Sequence, residues 1–241
     1  MNVSILNNKA LIMALKCHWT DCIEVLVKHK SFCFSCTEIN LIEMFKCNYV
    51  ALNAILKYPS FYNREQVHEA VMSISKHADY IPNLMLLFAV DESFCKDSFV
   101  IACENGNFDL VEYLVSTDKV DPAVFDNHAI KWASSFGHDE IVKYLISDKR
   151  VDPTAENNAA IRWACQAGHA KVVEILLSDV RVNPNASFSS CLINSCKAGH
   201  CEVVKLLLDD WRIDLRKCKE KCKQLAKKEL HLDILSLLNA R

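Results

Sequence analysis

Three cysteines and a histidine lie close together in the stretch SSCLINSCKAGHCEVV, residues 189–204. Cys196 and His200 are four residues apart, which would place them on one face of a continuous helix. Cysteine thiolates and histidine imidazoles are common ligands of zinc, and paired thiols can do redox chemistry. The elements that position these side chains decide between a metal site, a redox centre and a packed core.

The four glycines of the chain recur at intervals of 31 residues, at Gly106, Gly137, Gly168 and Gly199. Several prolines and histidines keep the same interval: Pro122, Pro153, Pro184, His138, His169, His200 and His231. A fixed period of this length is typical of repeat architectures. The chain is therefore predicted to consist of copies of one structural unit.

Each unit begins with V-[DN]-P and continues with two apolar stretches that are separated by glycine and histidine. The three clearest copies span residues 120–150, 151–181 and 182–212. Asn127, Asn158 or Ser189 precedes the first stretch, where a turn or a helix N-cap is expected. Glycine suits the end of the first helix, and the spacing of I/V-V-x-x-L-[IL] predicts a second helix. The predicted unit is turn, helix, tight loop, helix.

The sequence ACQAGHAKVVEILL, residues 164–177, resembles the A-A-x-x-G-H-x-x-V-V-x-L-L-L core of the ankyrin repeat. The unit is shorter than the ~33 residues typical of that family, and HAIK, AAIR or SCLI replaces its T-P-L-H opening. Shortened repeats of this kind are similar to those of protist and large-DNA-virus ankyrin proteins. The resemblance implies an all-α, ankyrin-type helix-turn-helix repeat solenoid.

The 31-residue register extends in both directions and predicts about eight repeats. About three diverged repeats are expected in residues 1–90, and four regular repeats in residues 91–210. A lysine-rich capping repeat is expected in residues 211–241, because a terminal repeat needs a polar outer face. The three regions are predicted to form one continuous solenoid.

The 31-residue register also predicts structural roles for several cysteines. Cys191 and Cys196 fall at small-residue positions of the first helix, and Cys22 falls at a core position of the second. Free cysteine behaves as a small buried hydrophobe, so we predict packing roles for these thiols. Stacked helices lie ~8–10 Å apart, too far for equivalent histidines to share one zinc. No metal and no cofactor are predicted, and among the cysteines of residues 189–204 only Cys201 is left as a candidate exposed thiol.

Composition and motifs narrow the function classes. The net charge of −2 does not fit a nucleic-acid binder, and no apolar run approaches the ~18 residues of a membrane span. Thirteen cysteines and no recognisable signal peptide predict the reducing cytoplasm, with a nuclear or host-cell location left open. A monomer is expected. Because the periodic glycines end helices, no phosphate-binding loop or nucleophile elbow is available. We therefore predict no enzyme activity.

The resemblance implies binding of a protein partner through the concave face, where turn tips and the exposed side of the first helix make contacts. The tryptophans at equivalent positions of two units would form the centre of that surface, and the alternative is that both indoles simply pack against neighbouring helices and turns. The positions that match are Phe125, Asn127, Lys131, Trp132, Ser135, Phe136, Glu156, Asn158, Arg162, Trp163, Gln166, Ser189, Asn194 and Lys197.

Two alternatives to a plain scaffold or adaptor stay open at this point. One is a metal- or thiol-dependent regulator that uses the connector cysteines Cys33 and Cys36. The other is a viral or pathogen-type effector that sequesters a host protein.

Overall fold

The computed structural model describes residues 64–240 and, nearer the N-terminus, residues 10, 13, 14, 17, 19, 21, 22, 25 and 26. The chain divides into two compact units, residues 1–102 and 103–241. The described residues form α-helices and no β-strand, which confirms the predicted all-α repeat class. Most of residues 1–90 lies outside the described part, so the number of repeats and the domain limits stay predictions.

The first unit contains two described helices and most of a third. They are α1 (Arg64–Ile74), α2 (Ile81–Val90) and α3 (Phe94–Asn105), and a short 3-10 turn, Ala78–Tyr80, precedes α2. Pro82 lies in the first turn of α2, where its missing N–H has no partner to lose. The buried apolar residues of α1 and α2 are Val67, Ala70, Val71, Ile74, Leu84, Leu87 and Phe88.

The second unit confirms the predicted order of turn, helix, tight loop and helix. Its helices after α3 are α4 (Phe108–Ser116), α5 (Val124–Phe136), α6 (Asp139–Ser147), α7 (Ala155–Ala167), α8 (Ala170–Ser178), α9 (Ala186–Ala198), α10 (Cys201–Asp209), α11 (Lys219–Lys228) and α12 (Leu232–Ala240). None of the described helices is both long enough and apolar enough to cross a membrane.

The helices of the second unit stack in two layers. First helices pack side by side in the order α5, α7, α9, α11, and second helices in the order α4, α6, α8, α10, α12. Small, fully buried residues lie in the middle of the first helices, which allows their backbones to approach closely: Ala133, Ala164, Ser195 and Ala226. The layers meet over buried leucines of the second helices, Leu145, Leu176 and Leu207.

Glycine and histidine fix the loop between the two helices of a repeat. Gly168 ends α7 with φ of 85°, in the left-handed region that favours glycine. A β-carbon there would lie 2.5 Å from Nδ1 of His200 in the next repeat, so the position also needs the space. His200 Nε2–H donates to the carbonyl of Gln166 at 3.0 Å. The same bond joins three further pairs: His138 to Glu104, His169 to Ser135, and His231 to Lys197.

An aspartate and an arginine two residues apart fix the loop that follows each second helix. Arg212 forms a salt bridge with Asp210, with 2.6 Å between Nη2 and Oδ2. The remaining N–H groups of Arg212 donate to backbone carbonyls about one repeat earlier, including Leu177 at the end of α8 at 2.6 Å and Val182 in the loop after α8 at 3.0 Å. Arg181 pairs with Asp179 and reaches the preceding repeat in the same way. Each loop is therefore tied to the loop before it.

The first helices begin in an unusual backbone conformation. Phe125, Asp126 and Asn127 at the start of α5 all have φ between 52° and 58°, and residues 156–158 of α7 repeat this geometry. Three successive left-handed residues other than glycine are rare, and asparagine tolerates the region best. This turn determines where the Phe125 and Glu156 side chains lie.

Candidate functional site

Buried asparagines join successive turns at the edge of the predicted binding surface. Oδ1 of Asn127 accepts the backbone N–H of Asp152 at 2.8 Å, and Asn158 accepts that of Asn183 at 2.7 Å. Neither side chain caps its own helix, so the N-cap interpretation was wrong. Ser189 is also buried and is too short for this bond, and Asn185 contacts the next turn instead. Asn127 and Asn158 therefore support the turns from inside, whereas buried Ser189 reaches the next turn through Asn185, to whose Oδ1 it donates at 3.5 Å.

The Lys131 side chain is buried between two successive repeats. It is 1% exposed, and its ammonium donates a short hydrogen bond to Oε1 of Glu156 in the next repeat. Glu156 is half exposed, and the hydrogen bond and charge of Lys131 lower the pKa of its carboxyl. Arg162, at the position equivalent to Lys131, donates instead to the carbonyls of Asn157 and Glu156, at 3.0 Å each. Both cations stabilise the left-handed turn.

Aromatic side chains collect on the outer surface of α5 and α7. The rings of Trp132 and Trp163 lie 5.8 Å apart at an angle of 54°, because equivalent positions of stacked helices are neighbours. Trp132 also stacks on Phe136 at 5.6 Å and contacts His128 at 6.4 Å. Phe125 extends the series through His128. We call these five residues, Phe125, His128, Trp132, Phe136 and Trp163, the aromatic patch.

The aromatic patch is open to solvent. Phe125 is 49% exposed and Phe136 is 46% exposed, and both indoles are half-buried. A recess of about 400 Å³ lies between the indoles and is lined by Trp132, Ser135, Trp163, Gln166 and Ala167. Its walls are indole rings with a few small polar groups, a composition that suits one apolar side chain of a ligand.

The structure thus brings together four of the predicted site residues, Trp132, Ser135, Trp163 and Gln166, around one recess. Asn194 and Lys197 follow on α9, where Asn194 is half-buried and Lys197 is exposed. Sequence reasoning missed His128 and Ala167. His128 precedes Trp132 by four residues on the same helix, and that spacing alone could have identified it.

Two of the three thiols in residues 189–204 are packing residues, as predicted. Cys191 and Cys196 are fully buried, and His200 uses its Nε2 on the Gln166 carbonyl. Hydrogen bonding with Cys196 is the main cause that raises the pKa of the Cys222 thiol to about 12. A protonated thiol is a poor nucleophile and a poor ligand. Cys201 is half-buried, less open than expected.

The packing role predicted for Cys22 was wrong. Cys22 is exposed, although the register placed it in the core of a second helix, and Cys17 is exposed as well. Cys33 and Cys36 lie outside the described residues. Among the residues that are described, no group of three or more His, Cys, Asp or Glu side chains could hold a metal ion.

Comparison with known families gives one result. A family model for ankyrin repeats, in three copies, matches the chain over residues 67–157, 99–188 and 149–219. These overlapping matches cover more than half of the 241 residues and include the whole aromatic patch. No curated protein matched the chain.

Proposed function

Because the chain belongs to the ankyrin repeat family, whose repeats generally serve as protein–protein interaction modules, we propose that it is a non-catalytic scaffold or adaptor. It binds a protein partner through the face formed by the turn tips and the outer side of the first helices. The observation that carries the proposal is the recess between Trp132 and Trp163.

The energetics of interfaces support this assignment. Tryptophan is enriched among the few residues that supply most of the binding energy, and such residues occupy pockets near the centre of an interface. In the free protein the rings of the aromatic patch expose apolar surface to water. Burial of that surface under a partner is favourable by about 25 cal/mol of free energy for each Å² covered. Ser135 and Gln166 beside the indoles offer hydrogen bonds at the edge of the recess.

The proposed contact residues are those predicted positions that the structure leaves open. Asn127, Lys131, Asn158 and Ser189 are buried, and the first three hold the turns. The remaining predicted positions are proposed to touch the partner: Phe125, Trp132, Ser135, Phe136, Glu156, Arg162, Trp163, Gln166, Asn194 and Lys197.

Replacement of the tryptophans tests the proposal. The variant Trp132→Ala/Trp163→Ala should lose a partner that the unaltered chain retains in affinity capture followed by quantitative mass spectrometry. With the purified partner, Trp163→Ala alone should raise the dissociation constant at least about fivefold, equivalent to ~1 kcal/mol.

The matched control is Trp211→Ala. Trp211 is 90% exposed in the loop after α10, outside the proposed surface, and its removal should leave the partner bound. Circular dichroism and thermal melting establish that each variant is folded. Equal retention of the partner by a folded double tryptophan variant would contradict the proposal.

A further inference from the structure

The charge of the proposed binding face changes along the stack of first helices. The positions equivalent to Ser135 are Glu104, Gln166, Lys197 and Lys228, and together with Ser135 they recur every 31 residues. All four are exposed. Because α5, α7, α9 and α11 pack side by side, the side chains of Ser135, Gln166, Lys197 and Lys228 form a row across the face. Glu104 of α3 precedes this row, since its carbonyl accepts the Nε2–H of His138 in the loop after α5. The side chain at this position is acidic in the first of these repeats, neutral in the two repeats beside the recess, and basic in the last two.

The lysines at the basic end are available to a ligand. Lys197, Lys221 and Lys228 are exposed, and no carboxylate among the described residues pairs with them. Residues 210–228 contain eight basic and three acidic residues, a net charge of +5 in a chain whose net charge is −2. The basic end therefore stands out against an otherwise acidic protein, and such a patch attracts anionic partners.

We propose that the binding face takes an acidic peptide segment of the partner, an inference that rests on the proposed function. One apolar side chain of the segment enters the recess between Trp132 and Trp163. Carboxylates of the same segment meet Lys197 and then Lys228. An extended peptide advances ~3.3 Å per residue and stacked helices are ~9 Å apart, so these groups are spaced about three residues from one another.

The acidic residues near the aromatic patch favour a peptide over a nucleic acid. Single-stranded RNA combines stacked bases with basic side chains, and it carries a phosphate at every nucleotide. Glu104 and Asp126 are exposed close to the aromatic patch and would repel that uniform charge. A peptide places its carboxylates at the basic end only and leaves neutral residues beside Glu104 and Asp126.

The test is selection of a random twelve-residue peptide library, displayed on phage, against the full chain at physiological salt. We expect the enriched peptides to contain an apolar residue and at least two acidic residues about three positions apart. The variant Lys197→Glu/Lys228→Glu should bind these peptides at least about tenfold more weakly. The matched control is Lys143→Glu/Lys171→Glu, which makes the same charge change on exposed residues of α6 and α8 and should weaken binding less than about threefold.

The outcomes separate this inference from the proposed function. Enriched peptides that need Trp132 and Trp163 but are neutral or basic overturn the inference and leave the proposed function standing. Equal losses in the two charge-reversed variants also overturn it, since only net charge would then matter. Peptides that bind the Trp132→Ala/Trp163→Ala variant unchanged, or no enrichment at all, count against both. Competition by an equal concentration of single-stranded RNA overturns the choice of a peptide.

Discussion

At the scale of single residues, Lys131 is a charge placed inside the repeat stack. An ammonium that leaves water loses its hydration, and only a partner of opposite charge makes its burial tolerable. Glu156 of the next repeat is that partner, and it is itself half exposed. The pair therefore joins two repeats through one interior cation. It also holds the turn beside the aromatic patch.

The first prediction concerns this ion pair. Glu156→Gln should lower the melting temperature, because it leaves the Lys131 ammonium buried without a counter-charge. Adding Lys131→Met should recover most of the loss, since an apolar chain of similar length then fills the same space. Thermal unfolding followed by circular dichroism measures both effects. Glu174→Gln, on the exposed side of α8, is the control and should change little.

A lower melting temperature in the double variant than in Glu156→Gln would contradict the argument. It would mean that the methylene chain of Lys131, and not its charge, sets the requirement at this position.

At the scale of the helix and its loop, the ends of the first helices depend on glycine. Gly137, Gly168 and Gly199 all have φ near 84°, and each lies against a histidine ring of the next repeat. The last repeat has Leu230 at the equivalent position, with φ of 62° and 79% of its surface exposed. In the last repeat this loop therefore contains a residue other than glycine, whose backbone is strained in the left-handed conformation.

The second prediction compares these positions. Gly168→Ala should lower the free energy of unfolding by about 2 kcal/mol, because the left-handed backbone and the His200 ring both oppose a β-carbon. Leu230→Gly should raise the free energy of unfolding by about 0.5–1 kcal/mol. The substitution removes backbone strain, but it also increases the conformational entropy of the unfolded chain, which offsets part of the gain. Urea denaturation measures both. Two changes of the same sign would contradict the explanation by backbone strain.

The sequence was sufficient for the helices and their order, because glycine, proline and apolar spacing repeat with one period. It was also sufficient to predict Trp132 and Trp163 as neighbours, since equivalent residues of stacked helices meet. It was not sufficient for the buried positions of Asn127 and Lys131. Their partners lie 25 residues away, and successive left-handed residues other than glycine carry no local signal. Cys22 was misplaced because diverged repeats share the register without sharing the burial.

At the scale of the whole molecule, the loops after the second helices each contain an aspartate–arginine ion pair. Asp148, Asp179 and Asp210 each bind the arginine two residues later, and that hydrogen bond lowers the pKa of each carboxyl. A carboxyl whose pKa is lower in the folded state than in the unfolded state stabilises the fold above its unfolded pKa. That stability is lost as the pH falls through the folded value.

The third prediction follows from this linkage. The protein should lose stability as the pH falls below about 3.9, the ordinary pKa of aspartate. Asp210→Asn should destabilise the protein at pH 7, and its difference from the unaltered chain should shrink as the medium becomes acidic. Denaturation at a series of pH values measures this difference. Asp126→Asn is the control, because Asp126 is exposed and forms no ion pair within the described residues. A difference for Asp210→Asn that is constant with pH would contradict the linkage.

The bond from each loop histidine to the preceding repeat has a consequence for how such a chain can change its length. His200 needs a carbonyl and a bare glycine 32 to 34 residues before it, and every regular repeat supplies both. The backward bonds of Arg181 and Arg212 obey the same rule. Loss of residues 151–181 would therefore bring His200 to Ser135 and Gly137, with the same chemistry restored. A gene for this protein can gain or lose blocks of 93 nucleotides, equal to 31 codons, and keep these histidine and arginine bonds at the new junction. Loss of residues 151–181 also removes Glu156, so the Lys131 ammonium would then lack its counter-charge.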